Sequence, residues 1–169
     1  MAKNRNKNRV FRYNRRIQQK TDYKLRLKLL KSKLVRVVVR RSNNNVTVQF
    51  VKYAEKGDAI IASARSVDLK KLGYTLHTGN IVAAHLTGML AAKRFLKKSQ
   101  EDCVVDMGLQ GIKYGSRLFA AVKGCVDGGA NIRVKDVVFP SEERLSGTHL
   151  KAKDAKSVIE KTVKAVEAL

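Results

Sequence analysis

The chain has 169 residues and a net charge of +22, from 36 Lys and Arg against 14 Asp and Glu. Hydrophobic residues make up 44% of it, so the chain can form one domain with a core and is not disordered throughout. A charge this large repels itself in a compact state unless an anionic partner neutralises it. Nucleic acid and anionic membranes are the usual partners of such a chain.

A membrane is the weaker of these two partners. The most apolar stretch, residues 81–96, is interrupted by His85, Lys93 and Arg94 and falls short of a spanning helix. The first twenty residues have no apolar run of the kind found in signal peptides, and they lack the serines of a transit peptide. We therefore expect no membrane partner and a cytosolic location.

Most of the charge lies in the first quarter of the chain. Residues 1–41 carry seven Lys and nine Arg against Asp22 alone, a net of +15, which leaves +7 for the rest. The first twenty residues contain eight basic groups, four Asn and two Gln, with Phe11 and Tyr13 as the aromatics. Because this segment has too little apolar surface to fold alone, we expect an arm that is disordered when free and orders on RNA. Its cations would contact phosphates, its amides base edges and its rings unpaired bases.

Residues 21–33 are predicted to form a helix. Tyr23, Leu27 and Leu30 recur at helical spacing, and Thr21 is a candidate cap. The alternation of leucines with basic residues in the same segment would also fit a strand, so both interpretations stay open from the sequence.

Three strands are expected next, joined by tight turns into an antiparallel meander. They are rich in β-branched residues or alternate between apolar and polar side chains. The expected strands span residues 34–41, 46–54 and 59–66. In the first, alternation places Arg36 and Arg40 on one face and Val35, Val37 and Val39 on the other, which predicts one dry face and one RNA face of the sheet.

Helices and strands then alternate. A helix is expected from residue 81 to about 98, and small residues such as Gly88 on one face would allow it to pack closely on the sheet. A short strand at 103–107 and a helix that begins after Ser116 and ends at Gly128 follow. This order predicts an α/β domain with a mixed sheet and packed helices.

The C-terminal residues 151–169 are predicted to form an amphipathic helix, because Ile159, Val163 and Val166 share one face. This helix either packs on the domain or lies against RNA or a neighbouring protein. The expected divisions of the chain are a basic arm at 1–20, an α/β domain at 21–145 and a basic C-terminal helix at 146–169.

An RNase-H-like nuclease is the sharpest enzymatic alternative, because a meander followed by a helix and a strand would suit that architecture. Such enzymes need converging carboxylates that hold two metal ions. The first strand carries Arg36, Arg40 and Arg41 instead, and Asp106 alone has a plausible position. Cations in place of metal ligands argue against two-metal catalysis.

Other chemical sites are not indicated either. The three histidines lack the spacing of metal ligands, and the glycines of residues 108–115 are not followed by the Gly-Lys-Ser/Thr of a phosphate loop. Cys103 and Cys125 occupy apolar positions and are expected to be small core residues. We expect no catalytic residue, no metal, no cofactor and no small-molecule substrate.

A series of short motifs occurs in the order found in a known family. It includes Thr21-Asp22-Tyr23, Arg41-Ser42-Asn43, Thr78-Gly79-Asn80, Gly115-Ser116-Arg117 and Val126-Asp127-Gly128-Gly129. Over roughly residues 10–150 the chain resembles the universal large-subunit ribosomal protein eighteen, called protein five in eukaryotes, in its archaeal or eukaryotic style. The tail beyond residue 150 is longer and richer in lysine than the family pattern.

The resemblance implies a structural protein, without catalysis, that binds 5S ribosomal RNA and anchors it to the large-subunit RNA in the central protuberance. It implies an α/β fold related to the RNase-H-like motif without its metal site, and contact with the neighbouring large-subunit protein five of the bacterial and archaeal naming. The implied RNA-binding residues lie in the arm, the first helix, and the first strand with its turn. They are Arg5, Arg9, Arg12, Arg15, Arg16, Tyr23, Arg26, Arg36, Arg40, Arg41, Ser42, Asn43 and Asn44.

A chromatin or DNA-packaging protein is the main alternative from another class, since charge alone would allow it. Reading duplex DNA usually takes a helix in the major groove or a dimer with fixed spacing. Neither is evident in the sequence, and a basic strand followed by a turn suits irregular RNA better.

Overall fold

The computed structural model describes residues 12–150 and 155–169, so Arg5 and Arg9 of the arm lie outside the described residues. Two 3₁₀ helices, Ser66–Leu72 and Asp136–Val138, accompany the α-helices and strands. In chain order, the α-helices and strands are α1 (Asn14–Ile17), α2 (Tyr23–Lys31), β1 (Val35–Arg41), β2 (Val46–Lys52), β3 (Ala59–Arg65), α3 (Ile81–Leu96), β4 (Cys103–Asp106), α4 (Arg117–Asp127), α5 (Glu142–Leu145) and α6 (Ala155–Glu167).

The four strands form one mixed sheet in the order β3-β2-β1-β4. β1 pairs antiparallel with β2, β2 pairs antiparallel with β3, and β4 runs parallel to β1. The predicted meander and the predicted mixed sheet with packed helices are confirmed. Because two parallel strands need a long crossover connection, the chain between β3 and β4 passes through α3.

The side chains of β1 and β2 alternate between a dry face and a polar face. Val35, Val37 and Val39 are all buried. On the same side of the sheet, the ring of Phe50 stacks on that of Phe95 in α3, with ring centroids 4.3 Å apart. The dry face expected from these valines is therefore the one that the helices cover, and the opposite face carries Arg36 and Arg40 together with Val38.

Two glycines bring α3 and α4 into backbone contact. A Cβ atom on Gly88 would overlap the carbonyl oxygen of Ala121, and one on Gly124 would overlap that of His85. Glycine allows this close approach because it has no side chain. The expectation that Gly88 serves packing on the sheet is wrong: it serves the crossing of two helices.

α2 begins at Tyr23 because the carboxylate of Asp22 accepts hydrogen bonds from the amides of Lys24 and Leu25. An acidic cap satisfies free amides and suits the positive end of the helix dipole. Of the two interpretations of this segment, the helix is confirmed, although its cap is Asp22 and not Thr21.

The C-terminal helix α6 packs on the domain. Ile159 and Val166 are buried and join the same apolar core as the sheet and α3. α6 also contacts the 3₁₀ helix Ser66–Leu72. The apolar face of α6 is thus covered by this chain itself, and the core extends beyond residue 145.

Candidate nucleic-acid interface

The face of the sheet opposite α3 carries a row of polar side chains. The strand register places Arg40 beside Thr47 and Thr47 beside Arg65, and it places Gln49 beside Ser63 in the neighbouring row. Arg65 and Ser63 are exposed, whereas Thr47 and Gln49 are half-buried. We call these five residues the open face.

Four residues of the open face were missed from the sequence: Thr47, Gln49, Ser63 and Arg65. The alternation within β2 was visible and could have placed Thr47 and Gln49 outward. Their position beside Arg40, however, depends on the register between strands, which alternation within one strand does not define.

Arg36 belongs to the same side of the sheet but is only 2% exposed. Its guanidinium forms ion pairs with Asp58 at 2.7 Å and with Asp106 at 3.3 Å. A buried charge is tolerated in proteins only when it is paired. Arg36, which the resemblance implied as an RNA ligand, therefore pairs with the buried Asp106 and the partly exposed Asp58 and does not present its charge at the surface.

The carboxylate of Asp106 is occupied by protein donors. Arg40 donates to Oδ1 at 3.1 Å and Arg36 to Oδ2 at 3.3 Å, and the amide of Gly108 also donates to Oδ1 at 2.9 Å. Across residues 12–150 and 155–169, no three metal-binding side chains come together as a candidate metal site. The one carboxylate that a nuclease could have used is thus engaged by guanidinium groups.

α2 faces the sheet across a cleft of about 270 Å³, which is lined by residues of all four strands. Arg26 bridges this cleft by donating to both oxygens of Asp58, at 2.9 and 3.0 Å. Partial burial would raise the pKa of Asp58, but the hydrogen bonds from Arg36 and Arg26 lower it below its ordinary value of 3.8. None of the nine residues of α2 is buried, and this ion pair holds the helix at the cleft together with the half-buried Leu25 and Leu29.

The cleft is lined by an excess of cations over acids. Three of its arginines and lysines come from α1 and α2 or the segment between them, and two come from β1. They are Arg15, Lys20, Arg26, Arg36 and Arg40, and the acids are Asp22, Asp58 and Asp106. The structure thus brings the described part of the arm, the first helix and the first strand together around one basic cleft.

The turn at residues 42–45, between β1 and β2, presents two asparagines. Asn43 and Asn44 are exposed. The hydroxyl of Ser42 accepts a hydrogen bond from the amide of Asn45 at 3.0 Å, and the Ser42 amide donates to the Asn45 carbonyl at 2.8 Å. Ser42 therefore closes the turn internally, while the two asparagine side chains remain available.

The turn is also supported from beneath. Arg117, at the start of α4, donates to the carbonyl oxygens of Asn43 at 3.1 Å and Gly79 at 2.7 Å. The hydroxyl of Thr78 donates to the carbonyl oxygen of Asn44 at 2.8 Å. Sequence reasoning assigned no role to Arg117, because its contact with the turn joins residues far apart in the chain.

The remaining predicted residues lie around this region. Arg12, Arg15 and Arg16 are exposed in and before α1. The half-buried ring of Tyr23 packs on that of Tyr13, with centroids 4.8 Å apart. Arg41 is exposed at the end of β1, and the side chain of Arg40 keeps 42% of its surface exposed beside Asp106.

Groups that could support other chemistry are engaged in packing. Burial raises the pKa of the Cys103 thiol to about 12, and burial likewise raises that of Cys125. Both side chains are buried in the core, as the sequence predicted. His85 makes a 2.8 Å contact with Asp127. Within the described ranges, no helix is both long and apolar enough to span a membrane.

Comparison with known proteins identifies the family. The family model described as ribosomal large subunit proteins 60S L5 and 50S L18 matches residues 7–104, more than half of the chain. The large ribosomal subunit protein uL18 of Methanococcus maripaludis is 45% identical over 139 residues, which cover 82% of this chain and 72% of the relative. The protein of the same name from Methanoregula boonei is 43% identical over 145 residues, 86% of this chain and 83% of the relative. The chain therefore belongs to the L18 and L5 family of large-subunit ribosomal proteins, and its place is the cytoplasmic ribosome.

Proposed function

We propose that the protein binds 5S ribosomal RNA and anchors it to the large-subunit RNA in the central protuberance, without catalysing a reaction. The observation that carries this proposal is the convergence of the charge. Residues 1–41 hold +15 of the net +22, and the fold brings five of their cations, Arg15, Lys20, Arg26, Arg36 and Arg40, around one cleft. The RNA site comprises the arm, the cleft, the open face and the turn at 42–45.

The chemistry of these side chains suits folded RNA. Arg40, Arg41 and Arg65 can contact phosphates, which position an RNA without reading its sequence. Asn43 and Asn44 carry donors and acceptors that can reach base edges or 2′-hydroxyls in irregular RNA. Arg36 and Asp58 contribute indirectly, because they hold α2 and its cations over the sheet.

The neighbouring large-subunit protein five is a further proposed partner, on the strength of family membership. Adding that protein to the 5S RNA complex should increase the stability of the complex if the two proteins touch. If the affinity of neither protein for 5S RNA increases when both are present, this partner is removed from the proposal.

The experiment that tests the function is a 5S RNA titration of the whole chain and of a chain lacking residues 1–20, at two salt concentrations. If about eight phosphates are neutralised, log K should fall with log[salt] at a slope near −6 to −7. Removal of the arm deletes eight cations, so binding should weaken and the slope should flatten. A whole-chain slope shallower than about −2, or equal affinity for a scrambled RNA, would contradict the proposal.

Two competitors separate the alternatives within the same titration. Duplex DNA should displace the protein poorly, and equal displacement by DNA would favour the chromatin-type alternative. Incubation with Mg²⁺ should leave the RNA intact, whereas cleavage that disappears in Asp106→Asn would revive the nuclease.

Replacing Arg117 by glutamine should lower the affinity for 5S RNA about fivefold, since about 1 kcal/mol of support for the turn is lost. The salt slope should change by less than one, because Arg117 acts through Asn43 and not on a phosphate. The matched control is Arg133→Gln, which removes the same charge from an exposed position. Equal losses in the two variants would show that charge alone, and not the turn, explains the effect.

A further inference from the structure

A second group of cations lies at the far end of α3 from the turn at 42–45. α3 begins at Ile81, next to the turn, because Arg117 donates hydrogen bonds both to the carbonyl oxygen of Gly79 and to that of Asn43 in the turn. A helix of 16 residues is about 24 Å long at roughly 1.5 Å per residue. Its last turn, with Arg94 and the following Lys97 and Lys98, is therefore well separated from the turn.

Arg94 and Lys98 attach this group to the edge strand β3. Arg94 donates to the carbonyl oxygen of Ser63 at 2.7 Å, and the Lys98 amine donates to that of Ile61 at 2.8 Å. Covering a free strand edge with basic side chains limits unwanted pairing between sheets. This structural role accounts for Arg94 and Lys98 but not for the lysines beside them.

Three more lysines extend the group. Lys70 and Lys71 are exposed in the 3₁₀ helix Ser66–Leu72, and Lys97 is exposed at the end of α3. The acid in contact with the group is Asp68, which pairs with Arg94 at 3.0 Å. Among the described residues, the side-chain amines of Lys70 and Lys97 make no hydrogen bond or ion pair.

We name this group of five cations the β3-edge surface: Lys70, Lys71, Arg94, Lys97 and Lys98. Five cations against one acid leave it with a net charge of +4. A groove of about 360 Å³ runs between its α3 end and residues 60–63 of β3. The charge is unneutralised within the described protein, as expected for a surface that meets a polyanion.

We propose that the β3-edge surface binds the phosphate backbone of a second RNA segment, from large-subunit ribosomal RNA, while the cleft, open face and turn hold the first. The proposal rests on the proposed function, because it assigns the two RNAs to two surfaces, which adjoin at Ser63 of the open face, where Arg94 donates to the carbonyl oxygen. Phosphate is the favoured occupant because the family is ribosomal and the five cations leave a net charge of +4 beside a groove whose apolar lining is Ile60, Ile61 and Ala62. An acidic protein segment is the competing occupant.

The test compares two triple variants of the full chain. Lys70→Gln, Lys71→Gln and Lys97→Gln together remove three charges from the β3-edge surface. The control, Lys156→Gln, Lys161→Gln and Lys164→Gln, removes three charges from exposed positions on α6. Immobilised 5S RNA is saturated with each protein and then offered labelled large-subunit ribosomal RNA, and each protein is also titrated directly with each RNA.

The surface variant should bind 5S RNA within about twofold of the control and capture the second RNA at least tenfold more weakly. The salt slope for large-subunit RNA should flatten by about 2 to 3, as expected for three lost phosphate contacts. Equal capture of large-subunit RNA by both variants would overturn the proposal. So would a surface variant that captures this RNA as well as the control does but binds an acidic ribosomal protein more weakly. If neither variant binds 5S RNA but the surface variant still binds large-subunit RNA more weakly than the control, the proposed function fails. The assignment of the β3-edge surface to large-subunit RNA then remains supported.

Discussion

Replacing Gly88 by alanine should lower the free energy of unfolding by about 3 kcal/mol, the upper range for overpacking a core. The added Cβ would overlap the carbonyl oxygen of Ala121 and lie 2.9 Å from the amide nitrogen of Cys125. Both of these contacts are backbone atoms of α4, which cannot rotate away as a side chain can. The helices would have to separate, and the side chains packed along them would lose contact.

Gly124 provides an independent test of the same crossing, because its Cβ would overlap the carbonyl oxygen of His85 from the other helix. Gly124→Ala should therefore destabilise to a similar degree. The matched control is Gly111→Ala, where no described atom lies within 4 Å of the new Cβ and the change should stay within about 0.5 kcal/mol. Urea unfolding, analysed with the same m-value, measures the free energy of unfolding of all three variants. A loss below about 1 kcal/mol for Gly88→Ala would mean that the two helices are not in backbone contact.

Replacing Asp58 and Asp106 together by asparagine should cost about 3–5 kcal/mol, because it leaves the buried Arg36 guanidinium without a counter-charge. Either single change should cost less, since Arg36 keeps the other carboxylate. The double variant gains positive charge, so a loss of RNA affinity in it would report displacement of α2 and not a weaker electrostatic attraction.

Arg36→Met tests the same network from the opposite side. It removes the buried cation, while Asp58 keeps Arg26 and Asp106 keeps Arg40. This variant should therefore be more stable than the double asparagine variant. The control is Glu101→Gln, which breaks a solvent-exposed pair with Lys52 and should change the stability little. If the double variant were no less stable than this control, Arg36 would not depend on its two carboxylates.

The acid dependence of stability follows from the lowered pKa of Asp58. A carboxyl group whose pKa is lower in the folded state stabilises the fold above its unfolded-state pKa, and this contribution is lost as the pH falls through the folded-state value. The stability due to Asp58 should therefore be constant from pH 7 to about 5 and decline below about pH 4. Asp58→Asn should show a smaller decline than the parent chain over the same range.

Local pattern was sufficient for several features of this protein. The alternation of valines with Arg36 and Arg40 predicted which side of β1 is dry, and the turn residues at 42–45 predicted the return of the chain into β2. The concentration of charge in residues 1–41 and the order of short motifs indicated an RNA-binding ribosomal family, to which the chain belongs. These features depend on neighbouring residues or on composition, which a sequence displays directly.

Other features depend on which distant residues meet, and only the tertiary structure decided them. Alternation placed Arg36 on the outer side of β1, but its burial depends on two distant carboxylates. Asp58 comes from the loop before β3, and Asp106 comes from the end of β4. Gly88 was visibly small, but the partner it approaches is set by the crossing of α3 and α4. Arg65 lies in line with Arg40 through two strand registers. Periodicity defines which face of a helix or strand a residue occupies, whereas the pairing of those faces is fixed only when the whole core packs.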